Sequence, residues 1–192
     1  MTGGAMKGAR ILVAGVGNIF LGDDAFGVEV AQRLARRRLP DGVRVVDFGI
    51  RGLDLVYALL DDYEAVILVD AAPRGGPPGT LYVLEPDPGE PAADPGADPL
   101  IETHNMDPAK VLRLAAAMGG RVKRLLVVGC EPEPPAEADD MRMGMSGPVR
   151  AAVDEAVVLI ESLVAKLLRA GGEALAHGPQ EGGDNPTLGK ED

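Results

Sequence analysis

Four short apolar runs punctuate the chain: Ile11-Leu-Val-Ala14, Val43 to Asp47, Ala65 to Asp70, and Arg121 to Gly129 with Leu-Leu-Val-Val at its centre. Runs this short and this apolar suit strands covered on both faces, as in a parallel sheet. Between them lie stretches of helical period. The first, 24–39, places Phe26, Val28, Val30, Ala31, Leu34 and Ala35 toward a sheet-packed face. Leu53 to Asp61 and Met106 to Met118 read as shorter helices, and Pro148 to Arg169 as a long amphipathic one. Ser146 is placed to cap that last helix, and Gly171-Gly172 to stop it. A further strand, Thr80 to Leu84, follows the turn-rich Pro73–Gly79 and is expected at a sheet edge. The alternation predicts an α/β three-layer sandwich, with a twisted, mostly parallel sheet of about five strands covered by helices on both faces. One domain over 10–170 is expected, with 1–9 and 173–192 as disordered tails. Residues 85–99 and 131–140 are rich in proline and acid, and read as exposed, mobile loops.

The first strand runs into Gly15-Val-Gly17-Asn18-Ile-Phe-Leu-Gly22-Asp23-Asp24. A strand, a glycine loop and a helix invite a nucleotide reading, which fails on the residues. Phe20 stands where a dinucleotide fingerprint needs its third glycine, and Gly22 is followed by Asp23 rather than by the lysine of a phosphate loop. Two adjacent carboxylates would also repel a phosphate from the helix entrance. Asp23 could cap the helix and Asp24 favour its positive end. One Asp suffices for that, so the pair suggests a loop built for a cation.

Composition narrows the partners. The 192-residue chain carries a formal net charge of −11, which argues against nucleic acid and anionic membranes. Trp is absent and aromatic residues make up 3%, so stacking platforms for bases are missing. Hydrophobic residues at 46% are enough for a real core. A lone Cys130 fits a reducing cytoplasm, and no apolar run approaches the ~20 residues of a membrane span.

In an open α/β sheet the carboxyl ends of the parallel strands share one edge, where ligands bind. Asp24 follows the first strand, Asp70 ends the third, and His104 is the one histidine outside the tail. Two carboxylates and an imidazole from separate loops make a plausible divalent-metal triad. Carboxylates ~4 Å apart repel by roughly 4 kcal/mol at an effective dielectric of 20, and a divalent ion relieves this. The bland alternatives are a strand-end anchor for Asp70 and a capping role for His104. Cys130, ending an apolar strand, reads as core rather than nucleophile. Met141, Met143 and Met145 read as loop packing or partner contacts.

The opening Gly15-Val-Gly17-Asn18-Ile-Phe-Leu-Gly-Asp23-Asp24-Ala-Phe-Gly27-Val28 resembles the signature of the hydrogenase maturation proteases. The resemblance continues through Val69-Asp70-Ala71, Thr103-His104-Asn-Met-Asp107-Pro108, Val127-Val128-Gly129-Cys130-Glu131-Pro132-Glu133 and Met143-Gly-Met-Ser146-Gly-Pro148-Val149, and spans 10–169. It implies a phosphorylase/hydrolase-like α/β fold. It also implies an endopeptidase that trims the C-terminus of a [NiFe]-hydrogenase large-subunit precursor after nickel insertion. The family's metal-contacting residues fall on Asp24, Asp70 and His104, as both catalytic and metal-binding groups. The implied metal is nickel, either resident or carried by the precursor. A monomeric cytoplasmic enzyme is expected. Where many members carry Asp-Gly-Gly-Thr after the second strand, this chain reads Asp47-Phe48-Gly49-Ile50-Arg51-Gly52, a departure in a loop associated with precursor recognition. Two other readings stay open: an aspartic-type peptidase in which Asp24 and Asp70 share a proton across the attacking water, and a nickel-binding chaperone without peptidase activity.

Overall fold

The computed structural model describes residues 10–86, 108–134 and 144–176. Five strands form one sheet in the order β2-β1-β3-β5-β4: β1 (Ile11–Val16), β2 (Val43–Gly49), β3 (Ala65–Ala71), β4 (Leu81–Leu84) and β5 (Leu125–Cys130). β1, β2, β3 and β5 run parallel, while β4 pairs antiparallel with β5 at the sheet edge. The expected α/β sandwich and the edge position of β4 are both found.

Alternating residues along each central strand serve opposite faces. Ile11, Val13, Ile67, Val69, Leu126 and Val128 meet Phe26, Val30 and Leu34 of α1 (Phe26–Ala35) and the apolar face of α4 (Gly147–Ala176). Leu12, Ala14, Val16, Val66 and Leu68 meet Leu55 and Val56 of α2 (Gly52–Ala58) and Val111 and Ala115 of α3 (Pro108–Ala117). Two helices on each side give the three layers.

Some boundaries differ from the sequence reading. The helix expected over 24–39 is a short 3-10 turn, Gly22–Ala25, followed by α1, which ends at Ala35. The tighter turn lets the chain swing out of the glycine loop before the α-helical register begins. Ala35 is exposed rather than sheet-facing. β5 begins at Leu125, because Arg121–Arg124 precede the edge of the apolar layer. α4 passes through Gly171-Gly172 to Ala176 instead of stopping there. Each glycine costs a helix only ~1 kcal/mol, too little to end it without an adjoining turn signal. The first few residues of the expected tail at 173–192 are therefore helical. Most of the 85–99 and 131–140 segments lies outside the described residues.

Candidate active site

Close backbone contact builds the loop after β1. Gly17 has a φ of 130°, and a Cβ there would run into the Asp24 carbonyl. Its N–H donates to the Gly49 carbonyl at 3.1 Å, which ties the β1 loop to the end of β2. Asn18 uses its side chain as expected, its Oδ1 accepting the Phe20 N–H at 3.0 Å. The Asn18 N–H donates to Asp24 Oδ2 at 2.6 Å. Thus Asp24 sits back against the loop that precedes it, half-buried and charge-assisted.

Neither member of the acidic pair caps a helix: the 3-10 turn and α1 have no side-chain cap bond. The capping reading is corrected, because both carboxylates point to other partners. Asp23 Oδ2 accepts the Glu133 N–H at 2.8 Å, and its Oδ1 accepts the Ser146 N–H at 2.6 Å. Asp23 is a staple between the β1 loop, the end of β5 and the start of α4. Ser146 in turn caps α4 as expected, its Oγ accepting from the Val149 N–H at 3.5 Å.

Asp70 pairs in register with Gly129 near the end of β3 and is half-buried. α1 packs so closely here that a Cβ on Gly27 would strike the carbonyls of Val16 and Val69. The 3-10 turn carrying Asp24 therefore stands beside the strand end carrying Asp70, on one edge of the sheet. His104 lies outside the described residues, as do Met141 and Met143. Topology still locates the helix that follows His104. Gly120, just past α3, lies against the Leu59 carbonyl at the far end of α2. That end of α3 is therefore at the opposite edge, and Pro108 starts the helix on the side of Asp24 and Asp70. Among the described residues no group of three or more His, Cys, Asp and Glu side chains is placed to hold a metal. The donor set within view is two carboxylates, a hard pair that needs a third ligand from elsewhere.

Cys130 is fully buried in the core, and burial pushes its thiol up to about 12, with the charges of Asp23 and Glu131 adding to the effect. It is no nucleophile at neutral pH. Met145 is partly buried against the core. The sequence reading gave no role to Glu131. It is 5% exposed, and its carboxylate accepts N–H bonds from Arg74 at 2.8 Å and Gly75 at 3.0 Å and a hydroxyl bond from Tyr82 at 2.8 Å. Burial pushes this carboxyl up, but its amide and hydroxyl donors outweigh burial and hold it below the usual range. An acid directly after an apolar strand was the available signal.

Beside this edge the 48–52 loop closes on itself, with Arg51 donating to the carbonyls of Phe48, at 3.1 Å, and Asp47. Gln32 Nε2 donates to Asp47 Oδ2 at 2.9 Å. Large apolar side chains face solvent on both bonded loops and at the start of α2: Ile19, Phe20 (70% exposed) and Leu21 on the first loop, Ile50 (59%) on the second, and Leu53 on α2. An open groove of ≈ 440 Å³ beside this loop, lined by Val46, Phe48, Arg51 and Ala58 among others, contains neither Asp24 nor Asp70.

A family model described as hydrogenase maturation protease matches residues 28–163. The chain belongs to the hydrogenase maturation protease family. Hydrogenase 2 maturation protease of Escherichia coli strain K12 is 32% identical over 167 residues, covering 86% of this chain and 95% of that one. The hydrogenase expression/formation protein HupM of Azotobacter chroococcum is 35% identical over 158 residues, covering 82% and 72%. The solved hydrogenase maturating endopeptidase HybD from Escherichia coli superposes with a TM-score of 0.61 at 30% identity, covering 84% of this chain and 94% of HybD. This maturation protease is accordingly an endopeptidase on a known α/β scaffold. No helix among its described residues is long and apolar enough to cross a membrane.

Proposed function

We propose that this maturation protease removes the C-terminal extension of a [NiFe]-hydrogenase large-subunit precursor once nickel is in place, and that Asp24, Asp70 and His104 recognise the metal. The observation that carries the reading is the delivery of Asp24 and Asp70 to one sheet edge by a close-packed glycine loop and a strand end. The start of α3 on the same side supports His104 as the third group. Two carboxylates with an imidazole carry a combined charge of about −2, suited to a divalent ion, and His104 binds as the neutral imidazole. Nickel here is part of the substrate: the protease reads whether it has been inserted. The exposed apolar rim, Ile19, Phe20, Ile50 and Leu53, favours a protein surface as the docking partner over a small molecule.

The test is incubation with nickel-loaded and nickel-free precursor, read by intact mass. The loaded form is expected to lose its extension, and Asp24→Ala, Asp70→Ala or His104→Ala is expected to abolish this while the fold persists. The three groups share one ion, so double replacements should cost little more than singles. Equal cleavage of the two precursors would sink the substrate-metal reading in favour of a resident metal or an aspartic mechanism. An unchanged precursor mass in every case would favour a nickel-binding chaperone.

A further inference from the structure

The chain leaves the sheet after Ala71, one residue past Asp70. The Ala72 N–H still donates to the Cys130 carbonyl at 2.9 Å, and the backbone then curls around the Glu131 carboxylate. Arg74, Gly75 and Gly76 contribute three successive N–H groups, and Tyr82 of β4 adds its hydroxyl. Gly76 must be glycine for this, since a Cβ there would run into the Tyr82 hydroxyl. The main chain of Glu131 holds the far end of the same loop. Its N–H donates to the Thr80 carbonyl at 2.9 Å, and its carbonyl accepts the Gly79 N–H at 2.8 Å.

Filling space beneath the loop would need only an apolar side chain. Burying a carboxylate carries a desolvation cost that must be offset by bonds to it. What the carboxylate adds is convergence: consecutive amides aimed at one anion fix the backbone that bears them. That backbone begins four residues after Asp70. We infer that Glu131 is a positioning residue for the trimming reaction, holding the Asp70 loop so that the Asp70 carboxylate is presented at the sheet edge. The inference rests on the proposed function and deepens it. A displacement of ~1 Å at a reacting centre costs on the order of 100-fold in rate.

The experiment compares the full chain with Glu131→Gln and Tyr82→Phe, by steady-state trimming of nickel-loaded precursor and by amide exchange. In Glu131→Gln, kcat is expected to fall about 10- to 100-fold with KM unchanged. Tyr82→Phe, which leaves the three amides in place, is expected to show a smaller fall. The Arg74–Gly76 amides should exchange faster while those of Val66–Val69 stay protected. A kcat equal to wild type despite faster loop exchange would overturn the inference. So would a rise in KM alone, or a loss of rate that tracks loss of β3 protection. If Glu131→Gln fails to fold, Tyr82→Phe decides by the same criteria. Failure of the wild-type chain to trim the precursor overturns the proposed function itself, whereas trimming by wild type and both variants alike overturns only the role of Glu131.

Discussion

Asp23 and Asp24 are neighbours in sequence with separate work. Asp24 faces back to the Asn18 amide at the site edge, and Asp23 gathers the amides of Glu133 and Ser146. Asp23→Ala is expected to destabilise the protein by about 1–3 kcal/mol, since one half-buried and one exposed N–H lose their charged acceptor. Asp23→Asn, which keeps one acceptor oxygen, should cost less; urea unfolding of the two variants checks the order. Sequence could show that two carboxylates were more than a helix start needs. It could not show the division of labour, because the partners of Asp23 lie more than a hundred positions away. Glu131 was hidden for the same reason: its donors come from β4 and from the loop after β3.

At the scale of elements, the apolar pattern carried most of the fold. Strand interiors and the inner faces of α1 and α4 repeat every second, third or fourth position, a signal that burial on the sheet enforces. Ends were less legible, as at the 3-10 entry to α1 and the passage of α4 through two glycines, where local backbone cost is ~1 kcal/mol and neighbouring packing decides. The same pattern ranks substitutions along α4. Ile160 is fully buried and Val158 is 60% exposed. Ile160→Ala is expected to cost about 2–5 kcal/mol and Val158→Ala within about 0.5 kcal/mol, measured by denaturant melts with an unchanged slope.

For the whole molecule, stability against acid should carry the mark of Glu131. Burial raises its carboxyl and the surrounding donors lower it further, so its folded-state value lies below its unfolded one. A depressed carboxylate contributes stability that is complete above the unfolded value of ~4.3 and is lost as pH falls through the folded value. The difference in unfolding free energy between wild type and Glu131→Gln should therefore be flat above about pH 6 and shrink below about pH 4. Urea titrations across that range test it, and a difference that grows toward acid would contradict the sign. The apolar contacts on the two faces of the sheet carry no such dependence.

Asp23 has one more consequence, for how freely the chain can change length. Glu133, three residues past the end of β5, and Ser146, just before α4, both rest on the two oxygens of one carboxylate. One residue thus ties Glu133 and Ser146 to the same point of the β1 loop. Between two points of a chain that are already fixed, a change of length is thermodynamically mild, about 0.6 kcal/mol for each doubling. Relatives are therefore expected to tolerate different lengths between these positions while keeping the same edge chemistry.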